Sequence, residues 1–360
     1  MTLRLVVLAH PRHPVAEPFA GGMESHTWHL CRALTALGVE TTLFAPAGSD
    51  PSIASDLRSY APLTLSASSR ADKSRPTDLE LHQHHAMVQA VAAITGESLG
   101  DVVHNQTMHY LPIITAGLLP PMVTTLHTVP FSWTESAMCS GGLASDYVAV
   151  SRFLSGQFAP LLPVPPTVIH NGVDTDVFHE GPGGDGLVWC GRLVPEKAPH
   201  LAIDAAVAAG RHLRLMGPIS DPGYFDRDIR GRLGPHAEYV GHLDRGAVAR
   251  EFQHAAACLV TSVWPEPFGL TAAESLACGT PVVGFRVGGL AEVVADPELG
   301  RAVPVGDVAA MAAGVSEVVG LDRRRTARIA HRRYGLRRMA LRYLELFHGL
   351  ASIDRVGHVG

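Results

Sequence analysis

The residues best suited to chemistry sit between positions 261 and 289, in TSVWPEPFGLTAAESLACGTPVVGFRVGG. Glu266 and Glu274 are separated by seven residues, with the turn Pro267-Phe268-Gly269-Leu270 between them and Thr271 opening a helical run. The first N–H groups of a helix point outward at the positive end of its dipole, so this start suits a diphosphate. Glu274, one turn in, has the reach to hold a ribose diol with both carboxylate oxygens. Glu266, on the loop before, faces whatever lies beyond the phosphates, which here is a sugar. A local explanation competes: Thr271-Ala-Ala-Glu274 is also a capping box. Gly279 and Gly288-Gly289 favour the ligand, because both glycine sites leave room for backbone to approach it closely.

A second group is Gly191-Arg192-Leu193-Val194-Pro195-Glu196-Lys197. A strand ending in Gly-Arg, with a lysine five residues later before a helix, can set two cations on one phosphate pair. Leaving-group charge develops there, so fixed cations lower the barrier. A surface Arg–Glu pair explains the same residues without a ligand. A third group, Gly21-Gly22 followed by Glu24, lies between a strand and its helix. It makes an anion-accepting turn but lacks the G-x-G-x-x-G spacing, so nicotinamide binding is not indicated.

Of 20 histidines, His10, His104, His127 and His170 end predicted strands, where ligands bind in α/β folds. His82-Gln83-His84-His85 resembles a metal cluster, but helical spacing gives it no clean i, i+4 pair. It reads as a solvated or cleft-lining face.

The elements that position these groups follow from short apolar runs alternating with longer amphipathic stretches, the pattern of α/β folds with parallel sheets. Strands are predicted at 4–10, 41–46, 101–106, 122–127, 146–151 and 166–171, then at 187–191, 213–217, 238–241, 257–263, 281–285 and 302–305. Helices are predicted at 23–37, ended by Gly38, and at 79–95, 198–209, 244–255, 271–278, 289–294 and 307–319. Residues 47–78 read as a mobile loop near the cleft or an irregular insertion. Residues 172–186, with five glycines, read as a linker. The arginine-rich stretch 323–348 is helical in period. It reads as a solvated face, with attraction to anionic lipid as the alternative.

Composition bounds the function. The 360 residues, 46% of them apolar, suit two domains. A net charge of -5 argues against nucleic acid as the main partner. The five scattered cysteines, without a C-x-x-C pair, fit a reducing cytoplasm. No apolar run is long enough for a membrane span.

The run Glu266–Gly289 resembles the donor site of the family 4 retaining glycosyltransferases, which have the GT-B fold. The resemblance covers nearly the whole chain. It implies that Arg192 and Lys197 grip the donor diphosphate, that the Gly21-Gly22 loop contacts donor phosphates and acceptor, and that His127 approaches the transferred sugar. By looser likeness it sets His104 near the acceptor and Ser151-Arg152 facing the cleft. The family usually has Gly after the lysine; here it is Ala198. Asn171-Gly172-Val173-Asp174 matches the family linker. Asp174-Thr175-Asp176 has the D-x-D form that holds a metal in the other major glycosyltransferase fold. In a hinge, however, Asn171 and Asp174 are expected to fix the turn.

The expectation is therefore two facing doubly wound domains, 1–174 for the acceptor and 175–330 for the donor, with 331–360 packing back on the first. The donor is a nucleoside-diphosphate hexose, UDP before GDP, held by Gly217, Phe268, Gly269, Leu270, Thr271 and Glu274 as well as the groups above. His10, Glu24, His104, Ser151, Arg152 and Asn171 line the acceptor side. No covalent nucleophile stands out, no metal or other cofactor is required, and domain closure is expected to expel water. An epimerase of the same fold and an inactive nucleotide-sugar-binding protein are the alternatives. A phosphorylase is disfavoured, because Lys73 is the sole lysine outside the Arg192–Lys197 motif.

Overall fold

The structure, a computed structural model, describes residues 2–141 and 144–357. The chain divides into two compact units. The first comprises residues up to Val150, Leu154–Ile169 and the stretch from Met339; the second comprises Ser151–Phe153 and His170–Arg338.

The first unit holds β1 (Arg4–Leu8), β2 (Glu40–Ala45), β3 (Asp56–Ser59), β4 (Val102–Asn105), β5 (Met122–Leu126), β6 (Ser145–Ala149) and β7 (Thr167–Val168). They form a parallel sheet in the order β3-β2-β1-β4-β5-β6-β7. β4 and β5 are buried at every position, as strands covered on both faces must be, so their sequences read as unbroken runs. Helix Gly22–Ala36 follows β1, and Gly38 just beyond it takes the left-handed conformation (φ 85°) that ends it. Helix Asp78–Gly96 starts with a complete capping box, Thr77 with Glu80.

The second unit holds β8 (Leu187–Cys190), β9 (Leu213–Met216), β10 (Ala237–Gly241), β11 (Ala257–Val260), β12 (Val282–Phe285) and β13 (Gly300–Val303). Their order is β10-β9-β8-β11-β12-β13, all parallel. In both sheets the order reverses beside the first strand, between β1 and β4 and between β8 and β11. Ligands in doubly wound sheets bind at such switch points, outside the carboxyl ends of the strands. The segments after β8 and β11 are those that carry Arg192, Lys197 and Glu266.

Two sequence expectations need correction. The stretch 47–78 is not all irregular: it contains a 3-10 turn at Pro51–Ile53, the edge strand β3 paired on β2, and a short helix Ala67–Ala71. An edge strand reading DLRS has no apolar run to announce it. The arginine-rich stretch is two helices, Arg323–Tyr334 and Leu336–Gly357. The break comes where Val173 donates to Tyr334 and accepts from Leu336, so the backbone there pairs with a distant segment.

The arginine stretch is also not simply solvated. Arg323 donates to the carbonyls of Gly181, Ala255, Gln253 and Cys278 and to the hydroxyl of Thr280, at 2.8–3.2 Å. Arg333 pairs with Asp296 at 2.7 Å, and Arg325 pairs with Glu298. Among the described residues no helix is long and apolar enough to cross a membrane.

Candidate active site

The second unit assembles its site through a ladder of bonds between the segments that follow β8 and β11. Trp189, on β8, donates from its indole to Thr261, whose hydroxyl donates to the Lys197 carbonyl, both at 2.9 Å. Val263 donates to the Glu196 carbonyl at 2.9 Å. These bonds clamp the 3-10 turn Pro195–Lys197 beside the loop carrying Glu266. Lys197 and Glu266 then meet as an ion pair. Ala198 closes the turn with φ 46°. A left-handed residue costs an alanine more than a glycine, which explains the glycine expected there.

Helix Leu270–Ala277 begins at Gly269 (φ 97°), and no side chain caps it. The capping box proposed for Thr271 and Glu274 is therefore absent, and the first N–H groups of this helix are not satisfied by that carboxylate. Glu274 is half-buried. Burial pushes its carboxyl up to about 7, against the pull of the Arg245 charge.

The glycines have a different reason than the one expected. A Cβ on Gly288 would stand 2.3 Å from the Glu266 carbonyl oxygen, and one on Gly289 2.5 Å from that of Pro267. A Cβ on Gly279 would stand 2.8 Å from the Arg323 carbonyl oxygen. All three admit neighbouring backbone rather than a ligand. Gly217 likewise approaches Gly191, whose carbonyl oxygen lies 1.9 Å from where its Cβ would be. Gly288-Gly289 thus shape the Glu266 loop, and Gly289 donates to the Glu266 carbonyl at 2.7 Å.

Arg192 is exposed and reaches Glu196 at 3.4 Å, the surface pair that competed with the phosphate reading. Phe268 is 2% exposed and packs between His170 and Tyr334, each at 5.6 Å, so its ring supports the loop rather than touching a ligand. Glu292, which sequence reasoning missed, accepts from the Arg152 backbone at 2.9 Å and lies 3.6 Å from His170. Ser151 is buried. Asp174 accepts from the Asp176 backbone at 3.2 Å and pairs with Arg245 at 3.4 Å, the turn-fixing role expected of it. Asn171 does not share that role through its side-chain oxygen, which is buried without an acceptor bond.

In the first unit, Gly21 caps helix Gly22–Ala36 with extended backbone, and both glycines are exposed. Glu24 is buried in the first turn. His127 follows β5 and its Nε2 pairs with Gln106 Oε1. Gln106 lies 3.4 Å from His104, which bonds Thr125 at 2.8 Å, which bonds the Tyr343 hydroxyl at 3.1 Å. Burial holds the protonation of His127 and His104 well below the usual histidine range, so both are neutral at pH 7. His104 is fully buried, with the rings of Tyr343 and Phe347 each 5.1 Å away. It cannot touch an acceptor and instead steadies the chain that reaches His127. Gln106 and Tyr343 were missed. The polar run His104-Asn-Gln-Thr at a strand end was a signal for the first; nothing local announced the second.

His10 lies with His84, His109, Tyr110, Phe131 and Trp133 around a cavity of about 690 Å³. His84 therefore lines a cavity, whereas His85 bonds Gln89 at 2.7 Å. Among the described residues no group of three or more His, Cys, Asp or Glu side chains is placed to hold a metal ion.

Comparison with known proteins adds to this geometry. Residues 20–177 match the family model described as Glycosyltransferase Family 4, and residues 184–320 the one described as Glycosyl transferases group 1. Glycogen synthase of Mycobacterium tuberculosis is 27% identical over 88% of this chain and 86% of its own length. D-inositol 3-phosphate glycosyltransferase of Mycolicibacterium smegmatis is 36% identical over 43% of this chain and 40% of its own. Among solved structures, AviGT4, a glycosyltransferase involved in avilamycin A biosynthesis, superposes with a TM-score of 0.69 at 24% identity, covering 97% of this chain and 98% of its own. Anabaena HepE in complex with UDP and glucose superposes with a TM-score of 0.74 at 16% identity, covering 96% of this chain and all (100%) of its own.

Proposed function

The chain belongs to the family 4 glycosyltransferases, has the GT-B fold and is a hexosyltransferase; from that premise we propose that it takes a hexose from a nucleoside-diphosphate sugar, UDP before GDP, and transfers it with retention to a hydroxyl of a small-molecule, natural-product, lipid or glycan acceptor. The observation that carries this reading is the Lys197–Glu266 pair beside an uncapped helix start with Glu274 one turn in. HepE, crystallised with UDP-glucose, supports a UDP-sugar by likeness of fold.

In this reading the bond between the anomeric carbon and the diphosphate oxygen breaks. The acceptor oxygen bonds to the same carbon on the same face. Its proton passes to a phosphate oxygen of the donor, and the nucleoside diphosphate leaves. Arg192, Lys197 and the N–H groups of Leu270 and Thr271 stabilise the growing negative charge. Glu274 holds the ribose. Glu266 and His127 hold the sugar, and a neutral imidazole adds no charge beside the positive centre that develops there. No residue is assigned to a metal.

The test is release of nucleoside diphosphate from UDP- and GDP-hexoses by purified protein. Lys197→Ala and Glu266→Ala should each lower kcat by at least about a hundredfold. Normal turnover in both variants refutes the site, and a changed donor sugar without acceptor consumption points to an epimerase.

A further inference from the structure

One arginine of the second unit lies between Glu274 and the linker. Arg245 opens helix Arg245–Gln253, which Asp244 caps by accepting from the Ala247 backbone at 2.8 Å. Two bonds hold this helix beside the one carrying Glu274: the Cys278 thiol to the Ala249 carbonyl at 3.8 Å, and the Thr280 hydroxyl to the Phe252 carbonyl. Arg245 Nη2 donates to Asp174 Oδ2 at 3.4 Å, with side chains only 21% and 11% exposed, so water screens the pair little. Its guanidinium also lies 5.8 Å from the centre of the Phe178 ring. Asp174 and Phe178 bound the linker turn, which Phe178 closes by donating to the Asp174 carbonyl at 2.8 Å. This turn follows His170, where the second unit takes up the chain, and Val173 just before it bonds Tyr334 and Leu336.

The same arginine acts on Glu274. Burial pushes that carboxyl up, and the Arg245 charge draws it down. The thiols of Cys190, Cys258 and Cys278 also feel Glu274, and burial keeps all three neutral at pH 7. An ionised carboxylate can accept from both hydroxyls of a ribose, whereas the protonated acid gives one oxygen to its own proton. A bound ribose therefore favours the ion, burial opposes it, and Arg245 assists it. The hold of Arg245 on Asp174 is long beside the roughly 2.7–2.9 Å of a tight charge-assisted bond. A single guanidinium thus serves two carboxylates, and what it gives to one it takes from the other.

We infer that Arg245 is a positioning residue that couples the donor to the linker: when a ribose engages Glu274, the guanidinium shifts toward that carboxylate and loosens the turn at Asp174. This rests on the transfer reading, in which Glu274 holds the ribose. Coupling between two sites is reciprocal, so a linker that no longer competes for Arg245 should tighten the nucleotide.

Calorimetric titration with UDP and with GDP tests it, using whichever the intact protein binds more tightly. Asp174→Asn keeps an oxygen for the Asp176 backbone and removes the carboxylate that Arg245 bonds. It should bind the nucleotide about fivefold more tightly than the intact protein. Arg245→Met should bind it about tenfold more weakly, and Arg245→Lys, which keeps the charge, should fall between Met and the intact protein. Asp174→Asn should bring no gain when combined with Arg245→Met or with Glu274→Gln. A mere loss of negative charge near a diphosphate would instead bring the same gain in every background. The Glu274→Gln background decides the matter even where Arg245→Met does not fold. Unchanged or weaker binding by Asp174→Asn overturns the inference, and so does a gain that persists without Glu274. Either result, with UDP or GDP still bound by the intact protein, removes this inference alone. Failure of the intact protein to bind UDP or GDP removes the donor of the transfer reading, and this inference with it.

Discussion

Lys197 and Glu266, 69 positions apart in sequence, close on each other as an ion pair whose side chains are only 24% and 13% exposed. Removing one partner strands the other charge in a poorly hydrated place. Lys197→Met should cost about 1–3 kcal/mol of stability in urea unfolding. Adding Glu266→Gln should recover most of that loss while turnover stays at least about a hundredfold down. A double variant that regains turnover along with stability shows the pair to be scaffold only.

Glu274 sets a stability that depends on pH. Its folded value, about 7, lies above the ordinary 4.5 because burial favours the neutral acid. The stabilisation is complete below 4.5, is lost as pH rises through 7, and stays lost above that. Glu274→Gln should therefore leave stability at pH 4.5 nearly unchanged and raise it at pH 8 by about 2–3 kcal/mol. The same variant should bind UDP about tenfold more weakly if the carboxylate holds the ribose. Parallel unfolding curves at both pH values, with no gain at pH 8, contradict this account.

Tyr343 acts on His127 at a distance, through Thr125, His104 and Gln106. Tyr343→Phe removes one buried hydroxyl and should cost about 1 kcal/mol. Its kinetic signature should be a several-fold fall in kcat with the donor KM little changed, because the groups assigned to the diphosphate and the ribose are untouched. A change in donor KM alone argues against a positioning role for this tyrosine.

Arg323 satisfies four carbonyls and a hydroxyl with one planar fork. Arg323→Met takes the guanidinium from the Gly181 and Ala255 carbonyls, while Gln253 and Cys278 still accept from the Gly183 and Gly181 backbone, and should lower stability by about 2–4 kcal/mol. Arg323→Lys should recover little, since an ammonium cannot span the fork. Both variants should keep near-normal kcat per folded molecule, measured well below their melting temperatures.

Most of the architecture was readable because parallel strands buried on both faces carry unbroken apolar runs. VVHN and MVTTL announced themselves in this way, while the edge strand DLRS did not. Helix ends were readable wherever the chain itself ended them, as at Gly38. The break at Gly335 was not, because it depends on pairing with Val173 far earlier in the chain. Of the candidate residues, Lys197 and Glu266 stood out in the sequence and the structure brings them together, whereas Arg192 meets Glu196. The histidines were only half legible. A strand end is visible in sequence, but the cover over His104 comes from Tyr343 and Phe347, whose place no local pattern reveals. The glycines were legible as points of close approach; what approaches was not.

Tyr343 and Phe347, both fully buried, belong to the first unit although they follow the whole of His170–Arg338 in sequence. The first unit is thus discontinuous in the gene's order. On a ribosome its segments up to Ile169 must wait, with the ground around His104 uncovered, until the second unit has been translated. Chaperone engagement during synthesis should concentrate in that interval and end when the helix beyond Gly335 emerges.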